Sequence, residues 1–205
     1  MGAMATARSG HACLATLHSI PLKKLLMTKR LLFLCTGNYY RSRFAETYFN
    51  WHAQQRGLPW RAESRGLALD PRNAGPISQH TAARLVELGI PLDVEPRYPL
   101  SASLADFNAA DHVVAVKAAE HRSLLQSTFP ELIGRVEFWG VHDLDCAGPD
   151  VAMPHLEREV SSLIDRLSRL GESSCSTLAA SSGTSIPVVV LPAITSIETR
   201  HESHG

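Results

Sequence analysis

Five consecutive apolar residues, Leu31-Leu-Phe-Leu-Cys35, follow Arg30 and run directly into Thr36-Gly37-Asn38. A strand with one face in water alternates apolar and polar side chains. An unbroken apolar run of this length belongs to a strand covered on both faces. Arg30–Cys35 is therefore expected inside a sheet with a layer on either side. Trp60–Leu67, His112–Val116 and Arg135–Gly140 read as three further strands. Between them, Arg41–Arg56 reads as a helix ended by Gly57, and Ser78 caps a helix that runs to about Leu88 and stops at Gly89. Glu120–Phe129 is helical up to Pro130. His155–Leu170 is amphipathic, with Leu156, Val160, Leu163, Ile164, Leu167 and Leu170 on one stripe. Strand and helix alternate four times, which predicts an α/β fold of three layers: a four-stranded parallel sheet with helices on both faces.

The pattern divides the chain into three zones. Residues 1–28 lack periodicity, and no Asp or Glu occurs in the first 26, so this stretch is expected to be a flexible N-terminal extension. Met27, followed by Thr-Lys-Arg and a strand, looks like a natural beginning. Residues 29–171 form the folded domain. Residues 172–205 are rich in Ser and Thr and are expected to be a disordered tail without a helix. No internal repeat is visible.

Twenty basic and twenty acidic side chains leave no net charge, so a nucleic-acid partner is not expected. No apolar run reaches the length of a membrane span, so a membrane partner is not expected either. Cys13, Cys35, Cys146 and Cys175 are sparse and contain no Cys-x-x-Cys, which argues against a disulfide scaffold or a cysteine-rich zinc site. That usage fits a reducing compartment, and a cytoplasmic location is expected. The ten His residues are scattered without ligand spacing, so neither a metal nor another cofactor is assigned. Nothing in the sequence speaks to oligomeric state.

The segment Cys35-Thr-Gly-Asn-Tyr-Tyr-Arg41-Ser42 joins a strand to a helix through a tight loop. Such a loop turns its backbone N–H groups inward, and the helix start adds partial positive charge. The product is an anion cradle. Gly37 and Asn38 tolerate the positive φ angles that a tight loop needs. A cysteine beside a helix N-terminus and an Arg is favoured as the thiolate, the nucleophilic form. Arg41 can hold a tetrahedral oxyanion with two parallel bonds, which Lys could not do. Ser42 can donate a hydrogen bond to the sulfur. Cys-x5-Arg alone is a weak signal. The strand before it, the loop residues within it and the helix after it give it weight.

The same eight residues resemble the phosphate-binding loop of the low-molecular-weight protein tyrosine phosphatases, a fold shared with thioredoxin-coupled arsenate reductases. Ala45-Glu46, Asn73-Ala-Gly-Pro-Ile-Ser78 and Asp106-Phe107…Asp111-His-Val-Val114 are similar as well. The resemblance covers about residues 29–170. It implies a flavodoxin-like sheet and a cysteine-dependent phosphatase acting on phosphate monoesters of the phosphotyrosine type. It further implies a phosphocysteine intermediate and no metal. Carried over residue by residue, the catalytic positions are Cys35, Arg41 and a general acid, with Thr36, Gly37, Asn38, Tyr39, Tyr40 and Ser42 around the substrate. A phosphorylated protein or a small phosphate ester is the expected partner.

The family's acid is an Asp in an Asp-Pro turn after the last strand. Asp143 falls at that place with Leu144 in place of the Pro, and Asp145 is the alternative. The chain departs from the family elsewhere too. Tyr40 stands where a second Cys is frequent, and Arg43 replaces the Pro after Arg-Ser. Leu144-Asp-Cys146 offers no aromatic pair. Tyr39 is either an aromatic wall or a helix-packing residue. Trp60 and Trp139 read as core, and Lys117 and His121 as a solvated helix start near the rim. Two rival functions stand beside the phosphatase. One is a phosphate- or phosphoprotein-binding module without turnover. The other is an arsenate reductase, for which the relay cysteines are lacking.

Overall fold

The computed structural model describes residues 28–142 and 148–180, with the backbone alone described over 172–180. The two candidates for the acid, Asp143 and Asp145, lie outside the described residues, as does Cys146. Two compact units are distinguished, Met1–Ser168 and Arg169–Gly205. The first contains the sheet and the anion loop.

Four strands, β1 (Lys29–Cys35), β2 (Trp60–Gly66), β3 (His112–Ala115) and β4 (Val136–Phe138), form one sheet in the order β2-β1-β3-β4. All three pairings are parallel. Among the described residues, five α-helices connect and follow them: α1 (Arg41–Gln55), α2 (Gln79–Glu87), α3 (Leu104–Ala109), α4 (Ala118–Thr128) and α5 (Pro149–Ala180).

The apolar run of β1 does what its pattern demands. Leu31, Phe33 and Cys35 pack with Phe44 and Phe49 of α1, Leu85 of α2, and Met153, Leu156, Val160 and Ile164 of α5. Leu32 and Leu34 point the other way, into Phe107 of α3, Leu125 of α4, Leu132 and Val136. Alternate side chains of one strand thus nucleate the cores on both faces of a three-layer α/β fold of flavodoxin-like order.

The helix ends follow local chemistry. Ser78 Oγ accepts from His80 N–H at the start of α2. Gly57 and Gly89 take up positive φ, 63° and 68°, just past α1 and α2, where a side chain would be strained.

Three elements differ from the sequence expectation. The helix α3 was not expected, although Ser103 and Asp106 form a reciprocal capping box in front of it. The stretch Pro130–Arg135 is a 3₁₀ helix, which shortens β4 to three residues. Finally, α5 begins at Pro149 and continues to Ala180, past the end predicted near Leu170. Proline suits the first helical position, where its missing N–H would have no partner anyway. Beyond Gly171 no Gly or Pro occurs before residue 181, and extending an existing helix costs far less than starting one.

Candidate active site

The sheet order reverses between β1 and β3, so the connections leaving their carboxyl ends diverge and open a crevice there. The loop Thr36–Tyr40 leaves β1 at this point, and Val116-Lys117 leaves β3 beside it. Leu67 and Ala68 donate backbone hydrogen bonds to the carbonyls of Cys35 and Thr36, at 2.9 Å each, which pins the loop root to the end of β2.

Asn38 shapes the loop. It is the one described non-glycine residue with positive φ, at 49°, and it is fully buried. Its side-chain amide is saturated. Nδ2 donates to Ser42 Oγ (3.1 Å) and Ser64 Oγ (2.8 Å), while Oδ1 accepts from Arg97 Nη1 and from Leu100 N–H, both at 2.9 Å. A short polar side chain that finds local partners is what makes this conformation tolerable. Arg97 also reaches Glu46 Oε2 (2.8 Å) and the carbonyl of Ser64 (2.9 Å), so a single guanidinium joins α1, β2 and the loop.

The sulfur of Cys35 faces hydrogen-bond donors. Asn38 N–H donates to Sγ at 3.2 Å, and Ser42 Oγ lies 2.9 Å from it. Because Ser42 Oγ accepts from Asn38 Nδ2, its own hydrogen is available for the sulfur. Both contacts stabilise negative charge on Sγ. Among the described residues Cys35 is the free cysteine, and it is buried.

Arg41, the first residue of α1, has 1% of its surface exposed. Its guanidinium turns inward, donating from Nη1 to the Val141 carbonyl (3.3 Å) and from Nη2 to Glu120 Oε2 (3.4 Å). Burying an arginine is tolerable only with such partners.

Lys117 and His121 are not the solvated helix start that their sequence context suggested. Lys117 is 8% exposed and His121 not at all. They close the far side of the site, because the β3–α4 connection packs against the anion loop. His121 Nδ1 accepts from Lys117 N–H at 3.1 Å, and Nε2 lies 3.3 Å from Thr36 Oγ1. Burial, reinforced by the positive charges of Arg41 and Lys117 against the pull of Glu120, lowers its pKa to about 3. His121 is therefore neutral. Burial works to raise the pKa of Glu120, but the Thr36 hydrogen bond and the charges of Arg41 and Lys117 outweigh it, and the net direction is down.

Thr36 hydrogen-bonds Glu120 through its hydroxyl, so what it offers an anion is its backbone. The Tyr40 ring lies in the core against the α1 side of the sheet, and Tyr40 likewise contributes main chain to the loop. Tyr39 precedes α1, is partly buried, and accepts from Ser78 N–H at the start of α2 through its carbonyl. Its hydroxyl donates to the Ala74 carbonyl at 2.6 Å, and its ring lines an open groove of about 510 Å³ with Ile77, Ser78, Gln79 and His80. Trp139 is core and Trp60 packs at its edge, as expected.

Glu46, Ser64, Arg97 and Glu120 were not picked out from the sequence. Ser64 Oγ donates to Glu46 Oε2 at 2.6 Å, and Arg97 binds both behind the loop, while Glu120 meets the loop separately through Thr36. Only Glu46 carried a signal, through the Ala45-Glu46 pair. Gly66 was also passed over. A Cβ there would lie 2.9 Å from the Thr36 carbonyl and 3.1 Å from Asn38 Cβ, so the end of β2 must be bare for the loop to sit down.

Among the described residues no group of three or more His, Cys, Asp or Glu could hold a metal ion, and no helix is long and apolar enough to cross a membrane.

A cysteine and an arginine six residues apart, wrapped around one loop at the switch point of a parallel α/β sheet, define the cysteine-dependent phosphatase class. The family model for low molecular weight phosphotyrosine protein phosphatase matches residues 30–181, and the chain belongs to that family. It is thus a phosphoric monoester hydrolase whose substrates are phosphorylated proteins or small phosphate esters. Among solved structures it resembles a low molecular weight protein tyrosine phosphatase from T. tengcongensis, with 31% identity and a TM-score of 0.56 over 69% of this chain and 98% of that one. Two further likenesses concern the fold alone. YfkJ from Bacillus subtilis shares 21% identity (TM-score 0.60; 69% of this chain, 96% of that one). The YwlE arginine phosphatase from Geobacillus stearothermophilus shares 23% (TM-score 0.55; 71% and 94%). No curated protein matches the chain.

Proposed function

We propose that the chain hydrolyses phosphotyrosine-type monoesters in two displacements, with Cys35 as the nucleophile. The ionised sulfur attacks phosphorus in line and expels the phenolic oxygen, giving a phosphocysteine. Water then attacks phosphorus, which returns the sulfur and releases inorganic phosphate. Loop N–H groups and Arg41 stabilise the equatorial oxygens as charge spreads over them. Asp143, or Asp145 as the alternative, protonates the departing oxygen in the first step and takes a proton from water in the second.

One observation carries this reading: Sγ of Cys35 is met by Asn38 N–H and Ser42 Oγ at the mouth of α1, the helix that begins with the inward-turned Arg41. The aryl preference rests on membership of the phosphotyrosine phosphatase family, and Tyr39, the partly exposed aromatic residue of the anion loop, is the candidate wall for a phenolic leaving group.

The experiment compares parent and Cys35→Ser on p-nitrophenyl phosphate, with phosphotyrosyl and phosphoarginyl peptides in parallel. The Ser variant is expected to lose turnover by several orders of magnitude while retaining phosphate binding. Rapid quenching of the parent should trap one phosphoryl group on Cys35. A Ser variant that hydrolyses at the parent rate sinks the mechanism, and a higher kcat/KM on phosphoarginine sinks the substrate assignment.

A further inference from the structure

We infer that Glu120 is a positioning residue for the Arg41 guanidinium, held in register by a directed chain of hydrogen bonds through Thr36 and His121. This rests on the reading that Arg41 grips the phosphate.

The direction of the chain follows from what each group can do. The Lys117 backbone N–H can only donate, so His121 Nδ1, 3.1 Å away, must be the unprotonated nitrogen. A neutral imidazole then carries its hydrogen on Nε2, which faces Thr36 Oγ1 at 3.3 Å. Thr36 accepts there, and its hydroxyl hydrogen is directed to Glu120 Oε1. That fixes one carboxylate oxygen. The other, Oε2, accepts from Arg41 Nη2 at 3.4 Å and lies 3.6 Å from Lys117 Nζ.

The arrangement ties three elements together: the loop after β1, the first residue of α1 and the first turn of α4. Glu120 stands between two cations, Arg41 and Lys117, whose mutual repulsion would otherwise spread them apart. A guanidinium is useful to a phosphoryl group only in one plane, since its fork must meet two oxygens at once. A carboxylate behind it sets that plane, and displacement of a binding group by about 1 Å can cost roughly 100-fold in rate. His121, being neutral and fully buried, holds Thr36 without adding a charge. Thr36 is in turn the residue next to the nucleophile, so the same chain fixes the root of the loop.

A double-mutant cycle on p-nitrophenyl phosphate tests the inference, pairing Glu120→Gln with Arg41→Met. Gln keeps the shape but puts an NH₂ where an acceptor is required. Alone, it is expected to lower kcat/KM by roughly 10- to 100-fold. In the Arg41→Met background the same change should alter kcat/KM less than about twofold, because Glu120 acts through Arg41. Two results overturn the inference: parent-like kinetics for Glu120→Gln, or an undiminished loss in the Arg41→Met background. A parent-like Arg41→Met enzyme strikes instead the underlying reading of phosphate binding. Should Glu120→Gln fail to fold, Thr36→Val removes the donor to Oε1 and enters the same cycle, with the same two results decisive.

Discussion

Arg97 Nη1 donates to Asn38 Oδ1 at 2.9 Å, so a residue 59 positions downstream holds the left-handed turn of the anion loop. Loss of either partner should be felt at the sulfur. Asn38→Ala removes four hydrogen bonds and leaves an unfavourable φ, a destabilisation of about 2–4 kcal/mol. Asn38→Gly restores the freedom of φ and should recover part of that stability with little of the activity. Urea denaturation and p-nitrophenyl phosphate kinetics on both variants check this.

Gly66→Ala should be disproportionately harmful for so small a change. Its Cβ meets the Thr36 carbonyl, which is main chain and can yield only by moving the loop. A loss of about 1–3 kcal/mol in stability is expected, with kcat/KM falling more than stability alone explains. Full activity at parent stability would show that the loop has room it is not credited with.

The buried His121 makes stability pH-dependent. Its folded pKa, about 3, lies below the ordinary 6.5, so the unfolded chain binds the extra proton between those values. The contribution is complete above pH 6.5 and is lost as pH falls toward 3, at about 1.4 kcal/mol per pH unit. His121→Gln should flatten the dependence between pH 6.5 and 5, below which the carboxylates also titrate. Chemical denaturation across that range measures it.

The acid is identified by leaving-group sensitivity. Asp143→Ala should slow phenyl phosphate far more than p-nitrophenyl phosphate, whose leaving group needs little protonation. Asp145→Ala should treat the two substrates alike. The reverse pattern would move the acid to Asp145.

Phe33 is fully buried and stacks edge-on with Phe49 at 6.1 Å. Phe33→Ala should cost about 3–5 kcal/mol through the cavity left in the core. Thermal unfolding is the measurement, and a shift of a degree or less would contradict the packing.

What the sequence disclosed depended on distance along the chain. The apolar run of β1, the Ser78 cap and the glycines after α1 and α2 are local signals, and they placed the elements and the Cys35–Ser42 loop correctly. The shell behind the loop was invisible for the opposite reason. Thr36 meets Glu120 across 84 residues, and Asn38 meets Arg97 across 59, with nothing in either neighbourhood to announce the pairing. Lys117 and His121 looked solvated because their stretch follows a strand with no apolar pattern. Only the parallel pairing of β1 with β3 brings them under cover. The helix α3 is a different failure: its capping box was legible, but six residues carry too little periodicity to support a helix.

The reversal of strand order between β1 and β3 also matters for fragments of the chain. The proposed nucleophile belongs to the first third of the chain, whereas the carboxylate behind Arg41 belongs to α4, beyond β3. On the proposed mechanism, a fragment ending before β3 keeps the signature loop and lacks the carboxylate that sets its arginine.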